Sequence, residues 1–155
     1  MTFQIEALPY DAFAPLFALD DMALADAGAR RMTVDHKPGF PCRVSLQDAE
    51  VGETVILVNH THLDLGSPYD ARHAVFVRQD APQAAPVAGE VPEVLHHRLL
   101  SLRAFDAGGM MIAADVVEGA EVAARLDAMF GATDVSFIDI HNAKPGCFAA
   151  RARRV

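Results

Sequence analysis

Residues 135–153 read Val135-Ser136-Phe137-Ile138-Asp139-Ile140-His141, then Asn142-Ala143-Lys144-Pro145-Gly146, then Cys147-Phe148-Ala149-Ala150-Arg151-Ala152-Arg153. Two runs that suit a pleated strand flank five residues containing Pro and Gly, which is the pattern of an antiparallel hairpin. A five-residue loop sets Cys147 opposite His141, with Cβ atoms about 4.5–5.5 Å apart on one face of the sheet. Asp139, two positions before His141, shares that face. Asp139, His141 and Cys147 are therefore candidates for orienter, base and nucleophile, an arrangement in which an imidazolium would favour the reactive thiolate. The competing reading makes Cys147 a small buried hydrophobe. One residue of slip in register would also put His141 and Cys147 on opposite faces.

Upstream of this hairpin, residues 98–105 and 110–117 flank Asp106-Ala107-Gly108-Gly109, a second hairpin signal because Gly supplies the positive φ that such turns need. Val122, Leu126, Met129 and Phe130 recur at helical spacing and predict an amphipathic helix between the two hairpins. At the start, Phe3, Ile5 and Ala7 alternate with polar residues as in a half-buried strand. A helical pair follows, with Asp20 or Asp21 capping its second member and Gly28 stopping it. Residues 30–36 predict a short strand, and Lys37-Pro38-Gly39-Phe40-Pro41-Cys42 an irregular loop. The run Thr54-Val55-Ile56-Leu57-Val58 is apolar on both faces and predicts a strand in mid-sheet. Residues 59–73 read as a polar loop, 74–77 as a short strand and 80–92 as a Pro/Ala-rich surface connection. Hairpins with helices set between them, and no βαβ rhythm, predict an α+β fold with a mainly antiparallel sheet. A length of 155 residues suits a single domain over residues 1–155.

Thirteen Lys and Arg against 21 Asp and Glu leave a net charge of −8, which disfavours nucleic acid and anionic membrane surfaces as partners. Arg151, Arg153 and Arg154 read as a solvated strand face. No secretory signal or membrane-spanning run is evident, so the expected location is the cytoplasm, where Cys42 and Cys147 stay as thiols. No phosphate-cradling loop or nucleotide fingerprint is present, so no cofactor is expected.

His60-Thr61-His62-Leu63-Asp64 resembles the H-x-H-x-D-H metal box of the metallo-β-lactamase superfamily, but Leu65 stands where the last His belongs. An incomplete ligand set in a surface loop predicts a protein that holds no stoichiometric zinc, with a mixed site drawing on His62, His141 and a cysteine as the open alternative. Arg98 and Arg103 lie in or beside an apolar strand, where a guanidinium is paired, solvated or placed to hold a carboxylate ligand. Tyr69, after Ser67-Pro68, offers a hydroxyl from a rigid turn.

Four further stretches carry a family likeness. They are Gly39-Phe40-Pro41-Cys42-Arg43; Asp48-Ala49-Glu50 with Gly52-Glu53; Ser67-Pro68-Tyr69 before Ala74-Val75-Phe76-Val77; and His141 through Cys147. From about residue 30 onward the chain resembles the bacterial domain-of-unknown-function family numbered twelve-oh-three. That resemblance implies a single domain and no established activity. In the family pattern position 60 is often aromatic and 62 is His. The motif residues Cys42, Arg43, His62, Tyr69, His141, Asn142 and Cys147 are then expected to cluster at one end of the sheet. Such a cluster would be a small-molecule site, binding or catalytic. The alternative is a non-catalytic module, such as a homodimer, with both cysteines buried.

Overall fold

A computed structural model describes residues 3–155. Strand β1 (Phe3–Glu6) buries Phe3 and Ile5 and turns Gln4 and Glu6 outward, as its period-two pattern demands. The first member of the expected helical pair is two 3-10 turns, Tyr10–Ala12 and Ala14–Ala18. The second is helix α1 (Asp21–Asp26), where the Asp20 side chain caps the Ala23 N–H and Gly28 takes a positive φ at the exit. Strands β2 (Ala29–Thr33), β3 (Thr54–Leu63) and β4 (Ala71–Arg78) follow, then the short helix α2 (Glu93–His96). The hairpin of β5 (Leu99–Phe105) and β6 (Met111–Glu118), helix α3 (Val122–Met129), and the hairpin of β7 (Phe137–Asn142) and β8 (Phe148–Arg154) complete the chain.

All strand pairings within the two sheets are antiparallel. Five strands form a sheet in the order β1-β8-β7-β5-β6, and three form a second sheet in the order β2-β3-β4. The fold is α+β, as read from the sequence. Among the described residues no helix is long and apolar enough to cross a membrane.

Residues 59–73 are not the polar loop expected. Strand β3 runs on to Leu63 and β4 begins at Ala71, so only residues 64–70 connect them. The alternation of Asn59, His60, Thr61 and His62 is a strand pattern written entirely in polar letters, which hydrophobic periodicity does not register. Strand β3 is central, as expected, with Val55, Ile56 and Val58 buried, although Leu57 is only half-buried.

The larger sheet has two unlike faces. Leu100, Leu102, Ala104, Ile138 and Ile140 point to one side and form the main apolar core with α3 (Leu126, Met129) and Phe130. Their alternates carry Ser101, Arg103, Asp139, His141 and Arg151, brought side by side by the β5–β7 and β7–β8 registers. The far end of the β3–β4 hairpin packs on this polar face. Phe148 stacks on the His62 ring at 4.7 Å, Leu63 joins Phe105 and Phe137, and Arg151 Nη2 donates to the His62 carbonyl at 2.8 Å. Every residue of β7 is buried as a result.

The 38–53 segment is tied to α2 and β5 through Arg98. Its guanidinium donates to Asp48 Oδ1 at 2.6 Å and Oδ2 at 3.0 Å, and to the Val94 carbonyl at 2.6 Å. Asp48 is 1% exposed and Arg98 18%. Asp48→Ala removes one partner of a largely buried pair and should cost about 3 kcal/mol of unfolding free energy, a large share of the roughly 5–15 kcal/mol that holds a domain. Urea denaturation measures this, and a loss below about 1 kcal/mol would mean that the segment is anchored elsewhere.

Candidate functional site

The β7–β8 register differs from the expected one. Ile140 pairs with Ala150 but His141 with Phe148, so Ala149 is an extra residue in a bulge. Asn142 then faces Cys147: its N–H donates to the Cys147 carbonyl at 2.9 Å, and the Gly146 N–H to the Asn142 carbonyl at 2.8 Å. The loop has four residues, closed by Gly146 at φ +81°. His141 and Cys147 are not a cross-strand pair, and the Asp139–His141–Cys147 set divides between two neighbouring places.

Cys147 belongs to a cavity of about 390 Å³ bordered by Arg43, Arg98, Asn142 and Lys144. Its partner is Arg43, which is 2% exposed. The guanidinium donates from Nη2 to Cys147 Sγ at 3.0 Å, from Nε to the Phe148 carbonyl at 2.8 Å and from Nη1 to the Pro41 carbonyl at 2.6 Å. Among the described residues no carboxylate pairs with it. Burial pushes the Arg43 pKa down, and the negative charge that Cys147 would carry pushes it back up. Asn142 Nδ2 also donates to Cys147 Sγ, at 3.4 Å, while the buried Asn142 Oδ1 has no partner among the described residues. The Cys147 sulfur thus accepts from two N–H donors, one of them cationic.

The Arg43 position comes from the backbone. Its N–H donates to the Phe76 carbonyl of β4 at 3.0 Å and its carbonyl accepts from Leu8 N–H at 2.9 Å, so the irregular Gly39–Arg43 stretch is held between the two sheets. Cys42, one residue earlier, points the other way. It is 0% exposed in an apolar cluster with Val44, Ile56 and Val75, and its sulfur accepts only from the Ser45 and Arg78 N–H groups, both at 3.4 Å. Of the two thiols, Cys42 packs the core and Cys147 lines the cavity.

The second place is the polar layer between the sheets. Asp139 is bound by Arg151, with Nε to Oδ1 at 2.6 Å and Nη2 to Oδ2 at 3.0 Å. Arg151 is therefore a half-buried partner of Asp139 and not the solvated residue its spacing suggested. His62 Nε2 and His73 Nδ1 share a hydrogen bond of 2.7 Å, and His141 packs edge-on against both rings at 5.1 Å. His141 Nδ1 donates to the Gly146 carbonyl at 2.9 Å. Burial lowers the His141 pKa to about 4, with the charge on Arg103 pushing the same way, so its imidazole is neutral at ordinary pH. Burial lowers His73 as well, and the charges of His62, Arg103 and Arg43 add to it. Burial would raise the Asp139 pKa, but the adjoining His62 ring and the Arg151 guanidinium outweigh it and hold the carboxyl below the usual carboxylate range.

The remaining candidates lie outside both places or at their margins. Tyr69 is 40% exposed and packs edge-on to Phe105 at 6.0 Å, bordering neither. Arg103 faces the polar layer from β5, with Nε at 3.4 Å from Ser101 Oγ. His60 lies against Phe13 and Asp64 is exposed, so the His60-x-His62-x-Asp64 motif does not converge. Sequence reading missed His73 and the pairing of Arg151 with Asp139. His73 would have emerged had residues 59–63 been read as strand, because it lies directly opposite His60.

A model of the protein family of unknown function DUF1203 matches residues 39–154, about three-quarters of the chain. No curated protein and no solved structure matches it. The matched span contains Arg43, His62, His73, Asp139, His141, Asn142, Cys147 and Arg151, and the chain belongs to the DUF1203 family, whose activity is not established.

Proposed function

We propose that the protein binds a small anionic molecule in the Cys147 cavity and presents Cys147 to it as a nucleophilic thiolate. The buried Arg43 guanidinium carries this reading. A cation at 2% exposure with no carboxylate partner among the described residues needs a counter-charge, and the nearest group able to supply one is Cys147 Sγ at 3.0 Å. Three features add to it. Lys144 brings a positive charge to the rim, where Arg98 is already paired with Asp48, and no Asp or Glu borders the cavity. The orphaned Asn142 Oδ1 is an acceptor that a ligand N–H or O–H can satisfy. A volume of about 390 Å³ is within the range of small-molecule sites. In this reading Arg43 holds the charge on sulfur, Asn142 orients the sulfur and the ligand, and Lys144 attracts the anion. Two unbridged thiols suit a reducing compartment such as the cytoplasm. The polar layer shared by both sheets favours reading the chain as one domain.

The charge preference of alkylation tests this. Cys147 in the native protein should favour iodoacetate over iodoacetamide by about tenfold relative to the same cysteine in denaturant, as local fields on this scale do for charged reagents. Peptide mass mapping assigns the adduct to Cys147 and should find Cys42 unmodified. Lys144→Glu, in an exposed loop, should remove most of that preference without disturbing folding. Equal native and denatured preferences, or a Cys147 that does not react when native, would contradict the proposal.

A second reading, a homodimeric module, is favoured by the edge strand β6, where Ile112 and Val116 are 40% and 55% exposed. Sedimentation should then show a dimer that Val116→Lys dissociates, and a monomer at every concentration would remove this reading.

A further inference from the structure

The Cys147 cavity makes no use of the histidines in the layer between the sheets. One ring nitrogen from each of His62 and His141 and one oxygen of Asp139 lie within 4.8 Å of one another. All three side chains are deeply buried: His62 is 3% exposed and Asp139 0%, and His141 is 1% exposed. The decisive atom is His62 Nδ1. It is buried with no hydrogen-bond partner among the described residues, and Asp139 Oδ2, 3.4 Å away, makes a charge contact and not a hydrogen bond. A polar nitrogen left in that state is destabilising, and a ligand at the same point removes that penalty.

We propose that His62, Asp139 and His141 form a binding site for a borderline first-row dication of the Zn²⁺ class. Each donor already has the outer partner that such a site needs. His62 turns Nδ1 inward while its Nε2 is engaged by His73 at 2.7 Å. His141 gives its Nδ1–H to the Gly146 carbonyl at 2.9 Å, which leaves Nε2 as a lone-pair donor. Asp139 is fixed from behind by both nitrogens of the Arg151 fork. Arg151 also cancels the single carboxylate charge, and Arg103 is close by, so the site offers little to Ca²⁺ or Mg²⁺, which are held by oxygen and charge. Two imidazoles and one oxygen instead suit Zn²⁺ or Fe²⁺. Bonds of about 2.0–2.2 Å would draw the three donors in to about 3.4 Å apart and leave a fourth position for water or another small ligand. A separate cavity of about 210 Å³, bordered by His60, His62, Phe148 and Arg151, supplies a route inward. The local motif could not reveal this set, since two of its three donors come from β7 at the far end of the chain.

The test uses the whole protein stripped with a chelator and then titrated with Zn²⁺ by calorimetry and with Co²⁺ by visible absorption. Expected are one ion per chain, a ligand-field band of low-coordinate Co²⁺ and a raised melting temperature. His62→Gln and His141→Gln should each weaken binding by at least about a hundredfold. His36→Gln, at an exposed histidine outside the cluster, and Cys147→Ser should leave it unchanged. Should either ligand variant fail to fold, paramagnetic shifts of the His62 and His141 ring signals in Co²⁺-loaded wild type give the same answer. Absence of one-to-one binding, binding that survives both ligand variants, shifts confined to exposed histidines, or loss of binding in Cys147→Ser would each overturn the site. The Cys147→Ser arm separates this proposal from the thiol reading, which stands or falls on alkylation alone.

Discussion

The buried guanidinium of Arg43 is the interaction on which the rest of this structure depends. Its side chain reaches the Pro41 and Phe148 carbonyls and Cys147 Sγ, and its backbone joins Phe76 of β4 and Leu8 beyond β1. One residue thus links the irregular 38–53 segment, the smaller sheet and the last hairpin of the larger one. Arginine suits the position because its planar fork satisfies several carbonyls at once and keeps its charge in a dry setting. The cost of burying that charge is met by two carbonyl dipoles and a sulfur, so the surroundings of Cys147 and the packing of the two sheets cannot be separated.

The same economy of space explains the layer between the sheets. An isolated antiparallel sheet would turn Asp139, His141, Arg103 and Arg151 toward water, and here the β3–β4 hairpin covers them. Covering such a face is tolerable only where donors and acceptors are matched. Asp139 is matched by Arg151 and His141 by the Gly146 carbonyl. Among the described residues the unmatched buried side-chain atoms are His62 Nδ1 and Asn142 Oδ1, one in each of the two places argued above to receive a ligand.

Much of this fold is legible in the sequence, because the hairpins, the amphipathic helix, the Asp20 cap and the central β3 each follow from a local pattern. Phe137-Ile138-Asp139-Ile140-His141 shows where that legibility ends. Its alternation identifies a strand correctly and reads Asp139 and His141 as one face, but no local pattern says that a second sheet closes over that face. The bulge at Ala149 is invisible for a related reason. Nothing in Cys147-Phe148-Ala149-Ala150 announces an extra residue, and it moves Cys147 from His141 to Asn142 and Arg43. Arg43 itself was legible only as a motif position next to Cys42, and its lack of a carboxylate partner is a property of three dimensions.

The central claim is that Cys147 supplies the negative charge opposite Arg43. Ultraviolet difference spectroscopy near neutral pH, native wild type against Cys147→Ser, measures that charge directly because thiolates absorb where thiols do not. The account predicts a thiolate band that is present in the wild type, absent in Cys147→Ser and lost when the wild type is unfolded at the same pH. A wild-type spectrum with no thiolate band near neutral pH, in protein whose Cys147 is shown to be reduced, would contradict it.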